Sequence, residues 1–461
     1  MFQNIEKNEI EEINAKLDQL LQEKGETKPA GGAKAASSGK PVVCIVGMGY
    51  VGFPLAAIAA SKGYEVYGFD TDIERLKRIE NGENIFNEKF LDAILPKVKI
   101  QTFHDPRLMR IMDIFIIAVP TPVDEKHNPI LKHVTDASRT IAENMKPGSL
   151  VILESTVNPG VSEEVVKPIF EKAGYTVGKD VFISHSPERV DPGNEKWNVS
   201  NIPRVIGSFD EEGLRKTKEF YESIIDAEIL PMDNIREAEA VKILENAFRD
   251  VNIAFVNEMA MSFARIGIDI TNVLRGASTK PYWFMAHRPG CGVGGHCIPV
   301  DPYYMIEKGK ENQFEHKFLT AARVINDGMA DYTVELLQNK LNEIKKSVKG
   351  TKIGVLGISY KENVGDLRES PALRIIDKIK NLGADLLTFD PFVPQLSNTN
   401  SLEEILSKSE ALVLVTMHNE FKNIPVEDFV KNGIKVIVDG RNCLDKKAIR
   451  EAGIIYVGIG R

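Results

Sequence analysis

The sequence has few cysteines and no long apolar run, and each shortage excludes a class of protein. Its 461 residues include four cysteines, which form none of the closely spaced pairs that bind zinc and are too sparse for a disulfide framework. No apolar run approaches the roughly 18 residues that a membrane-spanning helix needs, and the first residues lack the apolar core of a signal peptide. We therefore expect a soluble, cytoplasmic protein with no membrane insertion and no metal site.

The sequence also lacks an excess of positive charge. Its 58 Lys and Arg residues are outnumbered by 66 Asp and Glu residues, and the net charge is −8 with both signs interspersed. A protein that binds nucleic acid would show a basic patch or stripe. We expect small-molecule partners and no nucleic acid, and the length alone favours about three domains.

Residues 1–40 are predicted to form an N-terminal appendage. Residues 1–24 are charged and carry apolar side chains at helical spacing, which predicts a short helix with one apolar seam. Residues 25–40 are rich in Gly, Ala, Ser and Lys, a composition typical of a flexible linker. The seam is as compatible with pairing or docking as with a helix that is merely solvated.

The globular part begins with a dinucleotide-type motif. An apolar strand, Val42–Val46, is followed by Gly47-Met-Gly-Tyr-Val-Gly52, an alanine-rich helix and a second strand that ends at Asp70. Gly47 permits a tight turn, the next glycine lets backbone approach a pyrophosphate, and Gly52 lets the helix press on the strand. A carboxylate at Asp70 would bind ribose hydroxyls and repel a 2′-phosphate. The motif predicts NAD rather than NADP.

Further apolar strands end in polar residues. The strand Ile114–Val119 precedes Thr121, and Leu150–Leu153 precedes Glu154-Ser-Thr156. Open α/β sheets bind ligands at the carboxyl ends of their strands, so these residues are expected to face the cofactor. Glu188 occupies the same kind of position after the strand Val181–Ser184. The expected cofactor-binding residues are Gly47, Gly49, Tyr50, Val51, Gly52, Asp70, Arg75, Thr121, Ser155 and Thr156.

A long helix is predicted over about residues 235–266. Lys242, Asn246 and Arg249 lie at i, i+4 and i+7 and so share one face of it. Alanines along the same helix allow close packing at a domain centre. We expect this helix to present an ammonium and an amide in a cleft.

The stretch Arg288–Asp301 sets a cysteine among glycines. Glycines cost backbone entropy and pack nothing, so a run of them has a purpose other than stability. We interpret the loop as a means of bringing backbone close to a ligand around the thiol of Cys297. After it, helical sequence is predicted to about residue 346, and Lys352–Ile358 opens a second α/β unit. That unit lacks a GxGxxG motif, so we expect no second NAD.

Together these motifs resemble those of the nucleotide-sugar 6-dehydrogenases, the UDP-glucose/GDP-mannose dehydrogenase family, over residues 41–461. The motifs are Gly47-x-Gly-Tyr-Val-Gly52, Val119-Pro-Thr-Pro122, Glu154-Ser-Thr-Val-Asn-Pro-Gly160, Ser186-Pro-Glu188, Lys242-x-x-x-Asn246, Gly294-Gly-His-Cys297 with Asp301, Tyr360-Lys361, Asp366-x-Arg-x-Ser370 and Gly458-Ile-Gly-Arg461.

The resemblance implies an α/β fold with two Rossmann-like, doubly wound domains joined by a central domain of long helices. The expected parts are the appendage (1–40), an NAD-binding domain (41–230), a central dimerisation domain with the cysteine loop (231–346) and a domain that binds the UDP-sugar (347–461). It also implies a homodimer or higher homo-oligomer and a place in polysaccharide biosynthesis.

The resemblance further implies that NAD oxidises the C6 alcohol of a sugar twice, to a carboxylate. Cys297 would add to the intermediate aldehyde as a thiolate, and the thiohemiacetal would lose a second hydride to give a thioester that water hydrolyses. Lys242 and Asn246 would stabilise the oxyanion on C6. The remaining expected catalytic residues, which position the water or accept its proton, are Asp301, Glu188 and Thr156.

The residues around Glu188 resemble the branch that acts on UDP-N-acetylhexosamines. Arg189 follows Glu188, where UDP-glucose enzymes usually carry Phe-Leu. The run Asp191-Pro-Gly-Asn194 favours UDP-GlcNAc, whereas His287-Arg288-Pro-Gly290 is similar to UDP-ManNAc enzymes. We predict UDP-GlcNAc, with UDP-ManNAc as the alternative and UDP-glucose less favoured. The expected substrate-binding residues are Glu188, Arg189, Val190, Lys242, Asn246, Arg249, Arg288, Gly294, Tyr360, Lys361 and Arg368.

Two other classes of function stay open at this point. A single-step dehydrogenase of a small hydroxy acid would use a similar nucleotide domain but would not need Cys297. A non-catalytic nucleotide-sugar binder would not need Lys242, Asn246, Cys297 and Asp301 together.

Overall fold

The computed structural model describes residues 39–86, 88–124, 128–190, 194 and 196–461. The predicted N-terminal helix and nearly all of the linker lie outside the described residues, as do residues 191–193 of the run that favoured UDP-GlcNAc. The described chain divides into two compact units. The first comprises the residues up to Pro122 with Ile130–Lys242, and the second comprises the described part of 123–129 with Ile243–Arg461.

The first unit is built on an eight-stranded sheet. Its strands are β1 (Val42–Val46), β2 (Glu65–Phe69), β3 (Gln101–Phe103), β4 (Ile114–Ile117), β5 (Ser149–Leu153), β6 (Val181–His185), β7 (Arg204–Ser208) and β8 (Ile229–Pro231). They lie in the order β3-β2-β1-β4-β5-β6-β7-β8. Neighbouring strands are parallel except β6 and β7, which are antiparallel. Fully buried runs such as β1 and β4 fit a sheet with both faces covered.

Helices cover the two faces of this sheet. Val43 and Ile45 pack into a core on one face, while Cys44 and Val46 pack into a second core on the other. The helices are α1 (Gly52–Ser61), α2 (Ile73–Glu80), α3 (Lys89–Ile94), α4 (Lys132–Asn144), α5 (Lys167–Lys172) and α6 (Glu211–Ile224), with 3₁₀ turns at Leu95–Lys97 and Pro106–Ile111 and a π turn at Ser162–Val166.

The long helix α7 (Ile235–Arg265) begins in the first unit and ends in the second. Its bounds agree with the predicted helix of about residues 235–266. Ala238, Ala254 and Ala260 on this helix are all buried, as expected if small side chains let it pack closely.

The second unit is built on a five-stranded parallel sheet. Its strands are β9 (Lys352–Leu356), β10 (Asp385–Phe389), β11 (Ala411–Leu414), β12 (Val436–Asp439) and β13 (Ile455–Gly458). Their order is β10-β9-β11-β12-β13. The helices of this unit after α7 are α8 (Ile270–Ala277), α9 (Asp301–Glu311), α10 (Lys317–Glu343), α11 (Pro371–Asn381), α12 (Leu402–Lys408), α13 (Asn419–Lys422), α14 (Val426–Lys431) and α15 (Lys446–Glu451), with a 3₁₀ turn at Pro394–Leu396.

Two parallel-sheet domains and a long central helix confirm the predicted fold class. The helical region predicted up to residue 346 is not continuous, because α9 ends at Glu311 and α10 begins at Lys317. The chain reverses between them with Gln313 at a φ of 58°, and the N–H of Phe314 donates to the carbonyl oxygen of Gly309 at 2.8 Å. None of the helices in the described residues combines the length and apolarity that a bilayer span requires.

Gly440 follows β12 and lies against the first cysteine of the glycine-rich loop. A Cβ here would overlap the sulfur of Cys291 and would lie 2.6 Å from the carbonyl oxygen of Leu414. We expect Gly440→Ala to lower the free energy of unfolding by about 1–3 kcal/mol, as overpacking of a core typically does. Urea unfolding measures the loss. Gly328→Ala in α10 is the control, since nothing lies within 4 Å of its Cβ, and an equal loss there would contradict the explanation.

Candidate active site

The turn after β1 has the geometry that a dinucleotide needs. Gly47 has a φ of 98°, and its N–H donates to the carbonyl oxygen of Phe69 at 2.8 Å, which ties the turn to the end of β2. A Cβ at Gly52 would overlap the carbonyl oxygen of Gly47, so α1 starts this close to the strand only with glycine. A Cβ at Gly49 would meet nothing within 4 Å. The outer side of the turn is open for a pyrophosphate at the helix N-terminus, so these residues fit a bound dinucleotide.

Tyr50 and Val51 lie on the outer part of this turn. Tyr50 is exposed and stacks on Phe86, with ring centroids 4.1 Å apart. Val51 is the N-cap of α1 and supplies no side-chain hydrogen bond to the first turn. The first turn of the helix therefore has no side-chain cap that would compete with an anionic ligand.

Asp70 is held in place by the chain at the carboxyl end of β2. One of its oxygens accepts the N–H of Met48 at 2.8 Å and lies 2.9 Å from Nη1 of Arg75, and the other accepts the N–H of Asp72 at 2.9 Å. Two residues predicted to bind the cofactor thus contact each other. Arg75 helps to orient the carboxylate that the sequence assigns to the ribose.

The strand-end residues of β4 and β5 differ in accessibility. Thr121 and Ser155 are buried, and the hydroxyl of Ser155 donates to the carbonyl oxygen of Val119 at 2.8 Å. Thr156 is only half-buried. Within the first unit, Ser155 therefore joins two strand ends, and Thr156 is the residue of this pair whose side chain reaches the surface of the unit.

Glu188 is buried and both of its carboxylate oxygens are bound. One accepts the N–H groups of Arg189 and Val190 at 2.6 and 2.8 Å, and the other lies 2.6 Å from Nη2 of Arg204. The guanidinium of Arg189 donates instead to the carbonyl oxygen of Pro203 at 2.9 Å. Arg204 was missed by the sequence analysis, because no local motif marks it.

Lys242 lies near a buried neutral histidine. Burial lowers the pKa of His185 to about 3, and the charge of Lys242 acts in the same direction. His185 is the last residue of β6 and is 1% exposed. At neutral pH the imidazole of His185 is therefore uncharged.

A buried glutamate on α7 fixes the loop that follows β5. Glu239 is 1% exposed, and its oxygens accept the N–H groups of Gly160 and Ser162 at 2.6 and 2.8 Å. It lies three residues before Lys242, so one helical turn carries both the lysine and the clamp. Sequence analysis missed this residue, although an acidic residue next to the buried Ala238 was a possible signal.

In the second unit, two predicted catalytic residues contact each other. Nδ2 of Asn246 donates to Oδ2 of Asp301 at 2.6 Å, which links α7 to the first turn of α9. Asp301 is buried, and its N–H donates to the carbonyl oxygen of Cys297 at 2.8 Å. Cys297 itself is half-buried and is not part of a disulfide. The structure thus brings Asn246, Asp301 and the backbone of Cys297 together within this unit.

The glycines before Cys297 pack on the segment that follows β9. The N–H of Gly295 donates to the carbonyl oxygen of Arg368 at 2.8 Å. A Cβ at Gly295 would lie 2.8 Å from the ring of Tyr360, and one at Gly294 would overlap Cβ of the same tyrosine. The glycines are therefore required by the close approach of Tyr360, and predicted substrate residues from distant parts of the sequence meet here. Lys361, the next residue in the chain, is half-buried.

The start of the cysteine loop is anchored by buried amides that the sequence analysis did not identify. The N–H of Gly290 donates to Oδ1 of Asn257 at 3.0 Å, and Nδ2 of Asn257 donates to Asn326 at 2.9 Å. Asn326 in turn donates to Asp250 at 2.8 Å. Arg249 and Arg288, which were expected to contact the sugar, are exposed.

The turn after β9 resembles the turn after β1, but its aspartate is bound by side chains of the same unit. The N–H of Gly357 donates to the carbonyl oxygen of Phe389 at 2.9 Å, as Gly47 does to Phe69 in the first unit. Asp390, which corresponds to Asp70, is fully buried and accepts from Nε2 of His418 at 3.0 Å. Burial alone would raise the pKa of Asp390, but hydrogen bonds from His418 and two backbone N–H groups hold it well below its usual range. The carboxylate of Asp390 is therefore already bound by groups of its own unit.

Among the described residues, no cluster of three or more His, Cys, Asp or Glu side chains has the geometry to hold a metal ion.

The two units together have the features of a nucleotide-dependent oxidoreductase. One unit has a turn that fits a dinucleotide, and the other has a cysteine set among glycines and a five-stranded parallel sheet. Residues 42–225 match the NAD binding domain of the UDP-glucose/GDP-mannose dehydrogenase family, residues 236–328 its central domain and residues 354–446 its UDP binding domain. The chain belongs to this family.

The similar relatives include enzymes named for two different substrates, and most of those found carry the UDP-N-acetyl-D-mannosamine dehydrogenase name. The UDP-N-acetyl-D-mannosamine dehydrogenase of Pyrococcus horikoshii is 35% identical over 91% of this chain and 99% of its own length. The UDP-N-acetyl-D-glucosamine 6-dehydrogenase of Pseudomonas aeruginosa is 35% identical over 85% of this chain and 94% of its own. The solved structure of the P. horikoshii enzyme has a TM-score of 0.85 to this chain, over 91% of this chain and 99% of that one. The predicted family, enzyme class and NAD cofactor are confirmed.

The clamp made by Glu239 can be tested directly. Glu239→Ala leaves the buried N–H groups of Gly160 and Ser162 without an acceptor. We expect it to weaken NAD binding by about tenfold to a hundredfold, because the end of the loop that carries Ser155 and Thr156 loses about 1–3 kcal/mol of support. Titration calorimetry with NAD measures the change. Glu237→Ala, an exposed position on the same helix, is the control. Wild-type NAD affinity in Glu239→Ala would show that the clamp does not position this loop.

Proposed function

We propose that the protein oxidises the C6 hydroxyl of a UDP-N-acetylhexosamine twice to the uronic acid, with Cys297 as the nucleophile. The observation that carries the proposal is the Asn246–Asp301–Cys297 arrangement at the start of α9, in a chain of the UDP-glucose/GDP-mannose dehydrogenase family. A structural cysteine would not need four glycines around it or a tyrosine packed on their backbone.

The thiol answers a specific chemical need. NAD, when bound, accepts the hydride in each of the two oxidation steps. An aldehyde has no alkoxide that can expel a hydride, so the thiolate of Cys297 adds to C6 and makes a thiohemiacetal. Oxidation of this adduct gives a thioester, and one water molecule releases the carboxylate and restores the thiol. The sugar loses four electrons in total, and the sulfur carries the carbon through the second loss.

Lys242 and Asn246 are assigned to the oxyanion on C6. An ammonium and an amide one helical turn apart donate from the same side, and comparable donors stabilise an oxyanion by about 3–4 kcal/mol each. Asn246 is oriented by its hydrogen bond to Asp301. Asp301 is also assigned to the water, as a group that positions it or accepts its proton.

Glu188 and Thr156 are assigned to the water that hydrolyses the thioester. Glu188 has its orientation fixed by Arg204 and two backbone N–H groups, which suits a group that must hold a water in one position. Thr156 supplies a half-buried hydroxyl at the end of β5. These roles follow the family resemblance of the motifs that carry the two residues.

We assign residues 41–230 to NAD binding, 231–346 to dimerisation and the cysteine loop, and 347–461 to the nucleotide of the substrate. Tyr360, Lys361 and Arg368 follow β9 and contact or flank the cysteine loop, which supports a role at the UDP-sugar. Arg249, Arg288, Arg189, Val190 and Gly294 complete the proposed substrate site. A catalytic cysteine that is not part of a disulfide also favours the reducing cytoplasm as the location.

UDP-GlcNAc is the substrate that the sequence motifs favour. The P. aeruginosa relative, a UDP-N-acetyl-D-glucosamine 6-dehydrogenase, supports it at 35% identity. UDP-ManNAc is the second candidate, because relatives with UDP-N-acetyl-D-mannosamine dehydrogenase as their name include those of P. horikoshii and Methanococcus maripaludis, at 35% and 34% identity. The two sugars differ only in configuration at C2.

Turnover with a panel of sugars tests this proposal. We expect purified protein with NAD to form two NADH per UDP-GlcNAc consumed. The kcat/KM for UDP-GlcNAc should be at least tenfold above that for UDP-glucose and GDP-mannose, because polar groups that bind the acetamido group lose hydrogen bonds when the substrate carries a hydroxyl there. A higher kcat/KM with UDP-ManNAc would reverse the epimer assignment. Preference for UDP-glucose would remove the assignment to N-acetylhexosamines.

Cys297→Ser and Cys297→Ala are the matched variants for the same assay. Loss of the thiol should abolish net formation of uronic acid, whereas Cys291→Ser changes the other cysteine of the loop, which is buried against Gly440, and should leave the reaction intact. Steady turnover to uronic acid by Cys297→Ala would exclude a covalent mechanism.

We also propose that the protein forms a homodimer through the exposed apolar face of α7. Leu244, Phe248 and Phe255 lie on one side of this helix at 4- and 7-residue spacing and are 71%, 50% and 55% exposed. A continuous stripe of this kind is typical of an interface rather than of a solvated face. Phe318 and Val324 on α10 are also exposed.

Charge placed on this stripe should prevent association. We expect the wild type to have about twice the chain mass of 51.3 kDa in light scattering, and Phe248→Asp to have the mass of one chain, because a buried unpaired carboxylate costs several kcal/mol. Leu396→Asp, at another exposed apolar position, should leave the mass unchanged. A Phe248→Asp variant with the wild-type mass would place the interface elsewhere.

A further inference from the structure

A buried arginine lies between two carboxylates at the ends of β5 and β6. Arg204 is 1% exposed; its Nη1 lies 2.7 Å from Glu154 and its Nη2 lies 2.6 Å from Glu188. The ring of Tyr221 covers its guanidinium, with the ring centroid 4.9 Å away. The two carboxylates therefore communicate through one cation in a region without solvent, where charge interactions are strong.

Arg204, Glu154 and Glu188 form a buried triad. Glu154 is the member of this triad that has a hydrogen-bond acceptor without a donor. One of its oxygens accepts from Arg204 and from the hydroxyl of Tyr221, while its Oε2 is buried and has no hydrogen-bond partner. An ionised oxygen without a donor in a buried site is costly, and a proton on it lowers that cost because a neutral group loses less hydration energy than a charged one. Burial raises the pKa of Glu154 to about 7, and the charge of Glu188 adds to the effect against the opposing charge of Arg204.

Two further titratable groups beside the triad, Tyr221 and His185, are both uncharged. Tyr221, on α6, stays protonated because burial and Glu154 raise its pKa well above the usual value. His185, next to the β5 residue Leu153 in the sheet, is neutral because burial lowers its pKa to about 3. With both carboxylates ionised the triad carries one buried negative charge, and one proton neutralises it.

We propose that Arg204 and Glu154 are positioning residues for the reaction: Arg204 holds the carboxylate of Glu188, and Glu154 binds and releases one proton that sets how Arg204 is shared between the two carboxylates. When Glu154 is protonated, Arg204 pairs with an ionised Glu188 alone. When Glu154 is ionised, the cation is divided, and Glu188 becomes a better proton acceptor for the water. The role at the water rests on the proposed function, but the protonation of Glu154 does not.

Infrared spectroscopy tests the protonation without any substrate. We expect the carbonyl band of a protonated carboxyl group to disappear from the wild-type spectrum as the pH rises through about 7, and this step near neutral pH to be missing in Glu154→Gln. Glu237→Gln, an exposed position on α7, should keep this step. A step near neutral pH that persists in Glu154→Gln, or the absence of any band that titrates near neutrality, would overturn the inference.

The pH dependence of turnover tests the positioning. We expect kcat of the wild type to rise through about pH 7, and kcat of Glu154→Gln to stay at the low-pH level, because its amide keeps the hydrogen bond to Arg204 but cannot ionise. Arg204→Lys cannot bridge two carboxylates in the same plane, so kcat should fall by at least tenfold while the KM for NAD changes little. Wild-type kcat and an unchanged pH profile in Arg204→Lys would show that the arginine does not position Glu188.

Separate experiments can disprove the proposed function and the role of the Glu154–Arg204–Glu188 triad. If no UDP-sugar in the panel yields NADH with the wild type, the proposed function is wrong and the infrared result still decides the protonation of Glu154. If the panel yields NADH but the infrared band does not depend on Glu154, only the inference about the triad is wrong. Should Glu154→Gln fold poorly, Tyr221→Phe offers a second variant, because losing the donor to Glu154 should shift the titration of the same band to higher pH.

Discussion

The hydrogen bond between Asn246 and Asp301 is the interaction on which the proposed chemistry depends most. It joins α7 to the first turn of α9, and the N–H of Asp301 donates to the carbonyl oxygen of Cys297. A loop made largely of glycine has no side chains with which to fix its own conformation. Its shape is therefore imposed from outside, by Asn257 at Gly290 and by the carbonyl oxygen of Arg368 at Gly295. The thiol is positioned by its neighbours rather than by the loop.

The two sheets show how one turn geometry serves different ends. In each, a glycine after the first strand donates to the residue before an aspartate, and that aspartate accepts backbone N–H groups of the turn. In the first unit the turn is open above Gly49, and the side chain of Arg75 contacts the carboxylate of Asp70. In the second unit the side chains of His418 and Ser359 form hydrogen bonds to the corresponding aspartate, Asp390. The two units therefore differ in which groups bind this aspartate.

Sequence patterns predicted the parts of this structure that depend on neighbours along the chain. Continuous apolar runs gave β1, β4, β5 and β6 within a residue or two at their ends, and α7 was predicted almost to the residue. The three-residue strand Gln101–Phe103 was missed because it is short and partly polar. Motifs also located Asn246, Asp301 and Cys297, but not that the first two bond each other. Contacts that join residues far apart in the chain, such as Arg204 with Glu154, leave no local signal.

Those unpredicted contacts are mostly between buried charged side chains, which lose hydration free energy in the interior. A buried ion pair contributes little net stability compared with apolar packing, because both charges lose their hydration. Arg204 with its two carboxylates and Arg323 with Asp250 are nevertheless kept in the interior. Each set lies beside residues with proposed roles: Arg204 contacts Glu188, and Asp250 contacts the asparagine chain that ends at Gly290. Planar, charged hydrogen bonds hold a partner in one orientation more tightly than apolar contacts do. Orientation, rather than stability, is thus the physical reason for these interior charges.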